Sequence, residues 1–423
     1  MKKTGVLRWI WLGLAASLLG CGSIFSQPEE PLVSETFPVD RVETVTLPNR
    51  PDPFETQLAY CSYSNYVAGF GMHWEIKVST LDGAVVYDLE TFRPSPTGDD
   101  DGCWGPEGIA ITSLVWSPDG LQLLYQHEFV TTLRTHLHPS GESREATVLL
   151  TPPKYVHYLA ASMAAWSPDG EKIAFTASKS ARNYTLPSLF ITSADGKNIR
   201  QITNETALST GGMSLTWSHD SNKLAYILPE PDNGIGIVDL NTDTVTKFNA
   251  DNISVFPKVE PQLDHDLSEK NIAWLPGDRL ILFVTRGNDR QHDLLWVMEP
   301  DGTNLQKLYE GDLHGIALSP DGKLLAMVVA EPKGNYTIKT LSLDATPKLE
   351  TLLDTATWPL STNEGAVIRD LEWSPDGTRL IFASDASGNY DLFVWDTVLQ
   401  DVVQVTDTPV DEAGPRWRPP VQQ

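Results

Sequence analysis

The chain has 423 residues, with 31 Lys+Arg against 56 Asp+Glu, three Cys, 41% hydrophobic and 9% aromatic residues. That hydrophobic share builds a real core and excludes wholesale disorder. The net charge of −25 excludes a nucleic-acid binder, because phosphate contacts need clustered Lys and Arg. Three Cys without a Cys-x-x-Cys pair exclude a disulfide scaffold, a zinc ribbon and a thioredoxin-type site.

The first twenty residues read as an address. Lys2, Lys3 and Arg8 form a basic start, and Trp9 to Gly20 is an apolar run. The run is too short to span a bilayer but suits the core of a signal peptide. It ends Leu18-Leu19-Gly20-Cys21, which resembles the bacterial lipobox. That resemblance implies a lipid on Cys21, which becomes the new N-terminus after residues 1–20 are removed. Cleavage takes away three positive charges and no negative ones, leaving a net of −28. So acidic a body is repelled by anionic headgroups, and the acyl chains are expected to hold it at the membrane. Residues 21–55 then read as the lipidated Cys and a tether. Pro28, Pro31, Pro48, Pro51 and Pro53, with Glu29 and Glu30, keep such a segment extended.

From residue 56 to 423 one unit recurs, Trp-Ser-Pro-Asp-Gly followed by an aliphatic run. It stands at Trp116, Trp166 and Trp373 in full, and at Leu318 with the Trp replaced. It decays at Trp217-Ser218-His219-Asp220-Ser221 and Trp274-Leu275-Pro276-Gly277-Asp278, and ends as Trp417-Arg418-Pro419-Pro420. The steps between anchors are 44 to 57 residues. Periods of this order, rich in short strands, mark a propeller. Pro pre-sets φ in the turn, Asp bonds nearby backbone, and Gly accepts a positive φ. Runs such as Lys172-Ile173-Ala174-Phe175 supply the next strand. The anchor Trp reads as a packing plug between neighbouring sheets.

A second hairpin signal follows each anchor, for example Asp195-Gly196 and Asp301-Gly302, and one more, Asp82-Gly83, precedes the first. The count closes at seven four-stranded blades if the strand around Trp417 joins residues 56–92 in one shared blade. That closure leaves no free seam in the ring. Six blades is the alternative. The repeat resembles the TolB-like propeller repeat, also called WD40-like or PD40. The likeness implies an all-β propeller and leaves function open. TolB carries a further α/β domain before its propeller, whereas only a short tether precedes this one.

Function is expected on the face opposite the tight turns, where the long loops lie. Lys270, His314 and Arg369 fall four residues ahead of three successive anchors, a set that suits an anion in the funnel. His314 and Glu412 are the funnel candidates for an enzymatic reading. Pairing with Asp370, Glu269 or Glu412 is the plainer account of the cations. Loop-face aromatics Trp74, Trp104, Tyr158, Trp358 and Tyr390 suit protein or sugar binding. Asp99-Asp100-Asp101 lacks the ligand spacing of a calcium loop, and His136 and His138 lack a third ligand, so no metal and no cofactor are expected. An oxidising compartment permits a bond between Cys61 and Cys103, closing a loop of about forty residues for about 3–4 kcal/mol; two thiols is the alternative.

The expected function is an extracytoplasmic, lipid-anchored propeller that binds an envelope protein or peptide as a non-catalytic scaffold, as a monomer. The alternatives are a lyase or hydrolase acting on polysaccharide or peptide, and a small-anion sensor. No Gly-x-Ser-x-Gly elbow or His-Glu-x-x-His occurs.

Overall fold

The computed structural model describes residues 57–64, 73–82, 85–92, 114–127, 132–137, 146–148, 164–177, 188–196, 198–203, 214–228, 234–249, 272–278, 281–286, 292–344, 346–358 and 365–420. All lie within the unit Pro51–Gln423. Among them there are strands and turns and no helix. Three strands come first, β1 (Gln57–Ser64), β2 (His73–Thr80) and β3 (Val85–Phe92). Next are β4 (Leu114–Trp116), β5 (Gln122–His127), β6 (Thr132–Leu137) and β7 (Ala146–Val148). The following two groups are β8 (Ala164–Trp166), β9 (Lys172–Ala177), β10 (Ser188–Ser193) and β11 (Arg200–Gln201), then β12 (Leu215–Trp217), β13 (Lys223–Leu228), β14 (Gly234–Asp239) and β15 (Thr244–Phe248). After these come β16 (Ile272–Trp274), β17 (Ile281–Arg286), β18 (Asp293–Met298), β19 (Gln306–Leu318), β20 (Leu324–Ala330), β21 (Tyr336–Ser342) and β22 (Leu349–Asp354). The last are β23 (Ile368–Trp373), β24 (Arg379–Ser384), β25 (Asp391–Asp396), β26 (Asp401–Gln404) and β27 (Asp411–Trp417).

Consecutive antiparallel sheets follow one another in a propeller arrangement. β4–β7, β8–β11, β12–β15 and β23–β26 each form a four-stranded sheet in chain order. β16–β22 form one seven-stranded sheet. Its centre is the long β19, whose residues up to Gly311 pair with β18 and whose residues from Asp312 pair with β20. The remaining sheet has the order β27-β1-β2-β3, so the last strand of the chain completes the sheet of the first three. In it Leu58 faces Trp417 and Ser62 faces Glu412.

The burial pattern explains the sequence pattern. Second strands are apolar on both faces because each sheet is covered by a neighbour on either side; β13 and β24 are buried at five of six positions. Alternation is therefore lost, as in any strand buried on both faces. Outer strands such as β15 are largely exposed. The core consists of inter-sheet layers. One joins Ala174, Leu189 and Ile191 to Leu215, Trp217, Leu224 and Tyr226 of the next sheet. The anchor Trp sits in such a layer each time, at 3 to 7% exposure.

The recurrent turn is held by its own side chains. Ser117 Oγ donates to Asp119 Oδ1 at 2.5 Å and accepts from the Gln122 N–H at 2.8 Å. The same pair of bonds recurs at Ser167, Ser218, Ser319 and Ser374. Gly120, Gly170, Gly322 and Gly377 take φ between 67° and 72°, where a Cβ is penalised. In the two decayed copies Ser221 (φ 59°) and Asp278 (φ 53°) occupy that position. Each uses its side chain on the preceding turn: Ser221 Oγ accepts from the Asp169 N–H at 3.0 Å, and Asp278 accepts from the N–H groups of His219 and Asp220 at 2.7 and 3.1 Å.

Candidate functional site

The inner strands of three successive units carry an irregularity just ahead of their anchors. Register shifts fall between Leu313 and Gly315 in β19, between Arg369 and Glu372 in β23, and opposite Ala59 and Cys61 in β27. Bulges of this kind bend a strand and re-aim its side chains. Asp370 (φ 59°) and Gly414 (φ 60°) sit in the left-handed region at two of them. Asp370 Oδ2 accepts from the Gly414 N–H at 3.0 Å, so the two bulges are joined across adjacent sheets.

These bulges place two of the expected site residues. The Arg369 guanidinium lies 3.6 Å from the centre of the Tyr390 ring, and its Nε is 3.7 Å from Asp370 Oδ2. His314 Nε2 is 3.5 Å from Asp312 Oδ1, and its ring meets that of Tyr336 edge-on at 5.1 Å. Each of these two groups therefore lies beside one carboxylate and one tyrosine; Asp370 is among the partners expected for the cations and Asp312 is not. Both side chains are partly exposed, at 21% and 23%. Lys270 lies outside the described residues.

Glu412 belongs elsewhere. It is 1% exposed, so it does not line a funnel open to solvent. Its carboxyl accepts from Thr406 Oγ1 at 3.1 Å and from Thr408 Oγ1 at 2.5 Å, and the same Thr408 donates its N–H to Asp391. Asp391, at the first position of β25, is equally buried. It accepts from Ser387 Oγ, from Gln404 Nε2 at 3.1 Å and from the Thr408 N–H at 3.4 Å. Burial, helped by the Asp391 charge, pushes Glu412 up to about 7 against the pull of the two threonine hydroxyls. Burial also raises Asp391, with Asp407 adding to the effect. Burial of both carboxyls beside neutral donors disfavours ionising the two together.

The backbone around the pair is clamped. The Asn389 amide donates to the carbonyls of Thr408 and Val410 at 3.1 and 2.7 Å. The Tyr390 N–H donates to Asp411 at 2.9 Å, and the Glu412 N–H to the Tyr390 carbonyl at 2.7 Å. Thr406 Oγ1 also accepts from the Leu392 N–H at 2.8 Å. That threonine has counterparts: Thr203 Oγ1 accepts from the Leu189 N–H at 3.0 Å and Thr355 Oγ1 from the Tyr336 N–H at 2.9 Å. Sequence reasoning missed these threonines. The signal was present, since Gln201-Ile202-Thr203 and Gln404-Val405-Thr406 share a spacing.

The other sequence candidates separate. Trp358 is a core residue, 6% exposed, with its ring 4.9 Å from that of Phe393 and 6.0 Å from that of Phe382. It packs where the chain leaves β22, so apolar burial fixes it inside and removes it from the loop-face set. Tyr390 is half-buried under Arg369. Trp74 lies in β2 opposite Tyr63 and Phe92. Cys61 packs in a layer with Ala59, Ile76, Val78 and Trp116. Cys21, Cys103, Trp104, Tyr158 and the acidic loop at Asp99 lie outside the described residues. No group of three metal-capable side chains occurs among the described residues.

Architecture and clamp together define a β-propeller closed between its first and last strands. No protein-family profile and no curated protein matches the chain. Solved structures do. An oligogalacturonate lyase in complex with manganese aligns with a TM-score of 0.52 at 14% identity, covering 76% of this chain and 82% of that one. The periplasmic gluconolactonase of Pseudomonas aeruginosa aligns with a TM-score of 0.52 at 14% identity, covering 86% and 99%. TolB from Acinetobacter baumannii aligns with a TM-score of 0.43 at 17% identity, covering 84% and 81%. At 14% identity the likeness to the lyase and to the gluconolactonase is one of fold, the propeller that the repeat led us to expect.

Proposed function

We propose that the chain is a lipid-anchored, extracytoplasmic propeller of seven four-stranded blades that acts as a non-catalytic binding module for an envelope protein or peptide. The seven-blade reading is supported by β19, which divides the seven-stranded sheet into two four-stranded units. The binding reading rests on one contrast between the two ends of the sheets. The tight-turn end is occupied by internal bonds, from Ser-Asp turns to turn-to-turn links. The other end offers partly exposed Arg369 stacked over Tyr390 and His314 edge-on to Tyr336, a cation–aromatic and an aromatic pair of the kind that bind proteins.

The test uses the full-length chain as bait in detergent-solubilised envelope, beside Cys21→Ala and a Lys270→Ala/His314→Ala/Arg369→Ala variant. Support is one protein that co-purifies stoichiometrically with wild type and is lost with the triple variant. Cys21→Ala moving from the detergent phase to the aqueous phase supports the anchor. A folded bait with no partner, together with turnover of an oligosaccharide or lactone, would replace this reading with the enzymatic one.

A further inference from the structure

We propose that Asp391 and Glu412 form a proton-dependent latch, in which one shared proton fastens the closing strand β27 to the neighbouring sheet and its loss loosens the seam. Asp391 belongs to the sheet β23–β26 and Glu412 to the sheet β27-β1-β2-β3, so their contact crosses from one sheet to the next. Both side chains are 1% exposed. Their donors, Ser387, Gln404, Thr406 and the Thr408 hydroxyl and N–H, are all neutral. Thr408 bridges the two, its hydroxyl donating to Glu412 and its N–H to Asp391, so two buried carboxyls close on one residue, and one proton on the pair avoids burying two like charges together.

The charged groups on each packed element do not supply a substitute. The segment after β26 brings Asp407, and β27 brings Asp411, whose carboxylate takes the Tyr390 N–H. Before β25 stands Asp385, which takes the Val367 N–H. β23 brings Arg369 and Asp370, the first on the Tyr390 ring and the second on the Gly414 N–H. β1 places Ser62 opposite Glu412, and Ser62 Oγ accepts from Lys77 Nζ of β2 at 3.4 Å, with Lys77 itself paired to Glu75 at 2.7 Å. Arg416 of β27 donates to the carbonyls of Leu114 and Pro415, and the Glu372 carboxylate of β23 takes the Trp417 N–H. Removing the shared proton therefore leaves two buried negative charges beside further acids. Repulsion would act where the Glu412 N–H, Asn389 and Asp411 bonds join loop and strand.

The sign follows. The folded Glu412 binds its proton more tightly than the unfolded one, from about 4.5 up to about 7. The latch is fully set below about 4.5 and is released as pH rises through about 7. Most carboxyl-linked stability runs the other way.

The experiment follows β27 amide hydrogen exchange in the full chain between pH 5.5 and 8, corrected for intrinsic rates, for wild type, Glu412→Gln and Asp391→Asn. In wild type, exchange at β27 is expected to quicken roughly tenfold or more across this range. Glu412→Gln keeps a donor to Asp391 without titrating, so its profile should be flat. Asp391→Asn can donate to an ionised Glu412, so its dependence should move down toward ordinary carboxylate pH. A protonated-carboxyl infrared band, assigned by glutamate labelling, should be present in wild type at pH 6 and gone at pH 9. This readout needs no variant to fold. An absent band at pH 6, or the wild-type exchange profile persisting in Glu412→Gln, would overturn the proposal.

Discussion

Trp417 meets Glu372 twice: its backbone N–H donates to the Glu372 carboxylate at 3.2 Å, and its indole N–H donates to the Glu372 carbonyl at 3.3 Å. Glu372 is the residue before Trp373, and the relation is general. The indole of Trp373 reaches the carbonyl of Ala317, that of Trp274 reaches Thr216, that of Trp217 reaches Ala165, and that of Trp116 reaches Arg416. Each acceptor precedes the anchor of the neighbouring unit, so the plug also staples sheet to sheet. Trp166 breaks the series, with no hydrogen-bond partner on its buried indole nitrogen.

Trp417→Phe keeps an aromatic ring, though a smaller one, and loses the indole bond to the Glu372 carbonyl while keeping the backbone one. We expect a loss of about 1–2 kcal/mol in denaturant unfolding. Trp417→Ala should cost about 3–5 kcal/mol because it also opens a cavity in the layer with Leu58, Ile381 and Leu392. Trp166→Phe, which has no staple to lose, should cost less than Trp417→Phe.

Glycine replacements should separate strain from collision. A Cβ on Gly322 would lie 2.0 Å from Pro276 Cδ, besides the unfavourable φ of +67°. Gly322→Ala is expected to cost about 3 kcal/mol or more, since the neighbouring turn must move. Gly334 has a φ of +83° with nothing within 4 Å, so Gly334→Ala should cost only about 1–2 kcal/mol. Thermal melts of the pair provide the comparison.

Asp278→Gly should destabilise although it relieves a positive φ. Relief is worth about 1 kcal/mol, but two N–H groups of the preceding turn lose a carboxylate acceptor. The net loss is expected to be about 1–2 kcal/mol. Asp278→Asn, which keeps a single acceptor oxygen, should fall between Gly and wild type in denaturant midpoint.

The repeated turn makes the ring sensitive to acid. Burial would raise Asp376, but the Ser374 hydroxyl and the Thr378 N–H and hydroxyl hold it below its ordinary value. The Lys323 N–H and the Ser319 hydroxyl do the same for Asp321. These groups stabilise the fold above their ordinary range near 3.8, and that contribution is lost as pH falls through their lowered folded values. Ser374→Ala should lower stability at pH 6 and flatten its decline toward pH 3, as read from urea midpoints.

The fold was legible because its unit is local. Ser, Pro, Asp and Gly act within five residues of one another, so the turn can be read off the string, and Trp marks the inner strand. The bond between distant ends was readable as arithmetic, through the orphan strand at Trp417. The site was less legible. Arg369 and His314 were found by register, but their tyrosine partners come from neighbouring strands and leave no local spacing. Glu412 looked like a funnel residue because its burial depends on Thr406, Thr408 and Asp391, which come from the neighbouring sheet and the segment that follows it. Trp358 looked like a loop aromatic because its burial depends on Phe382 and Phe393, farther along the chain.

Arg418 donates to Gln57 across 361 residues of sequence, and to the carbonyl of Gly120. The strand that completes the first sheet is thus made last. Until it arrives, β1 has an unpaired inner edge and the layer around Leu58 lacks its indole. Loop-closure entropy on this scale makes the final join the slow event of folding. An emerging chain carries a sticky, half-finished sheet throughout its synthesis, and a holdase that masks β1 would act in the interval when two neighbouring chains could otherwise exchange their last strands.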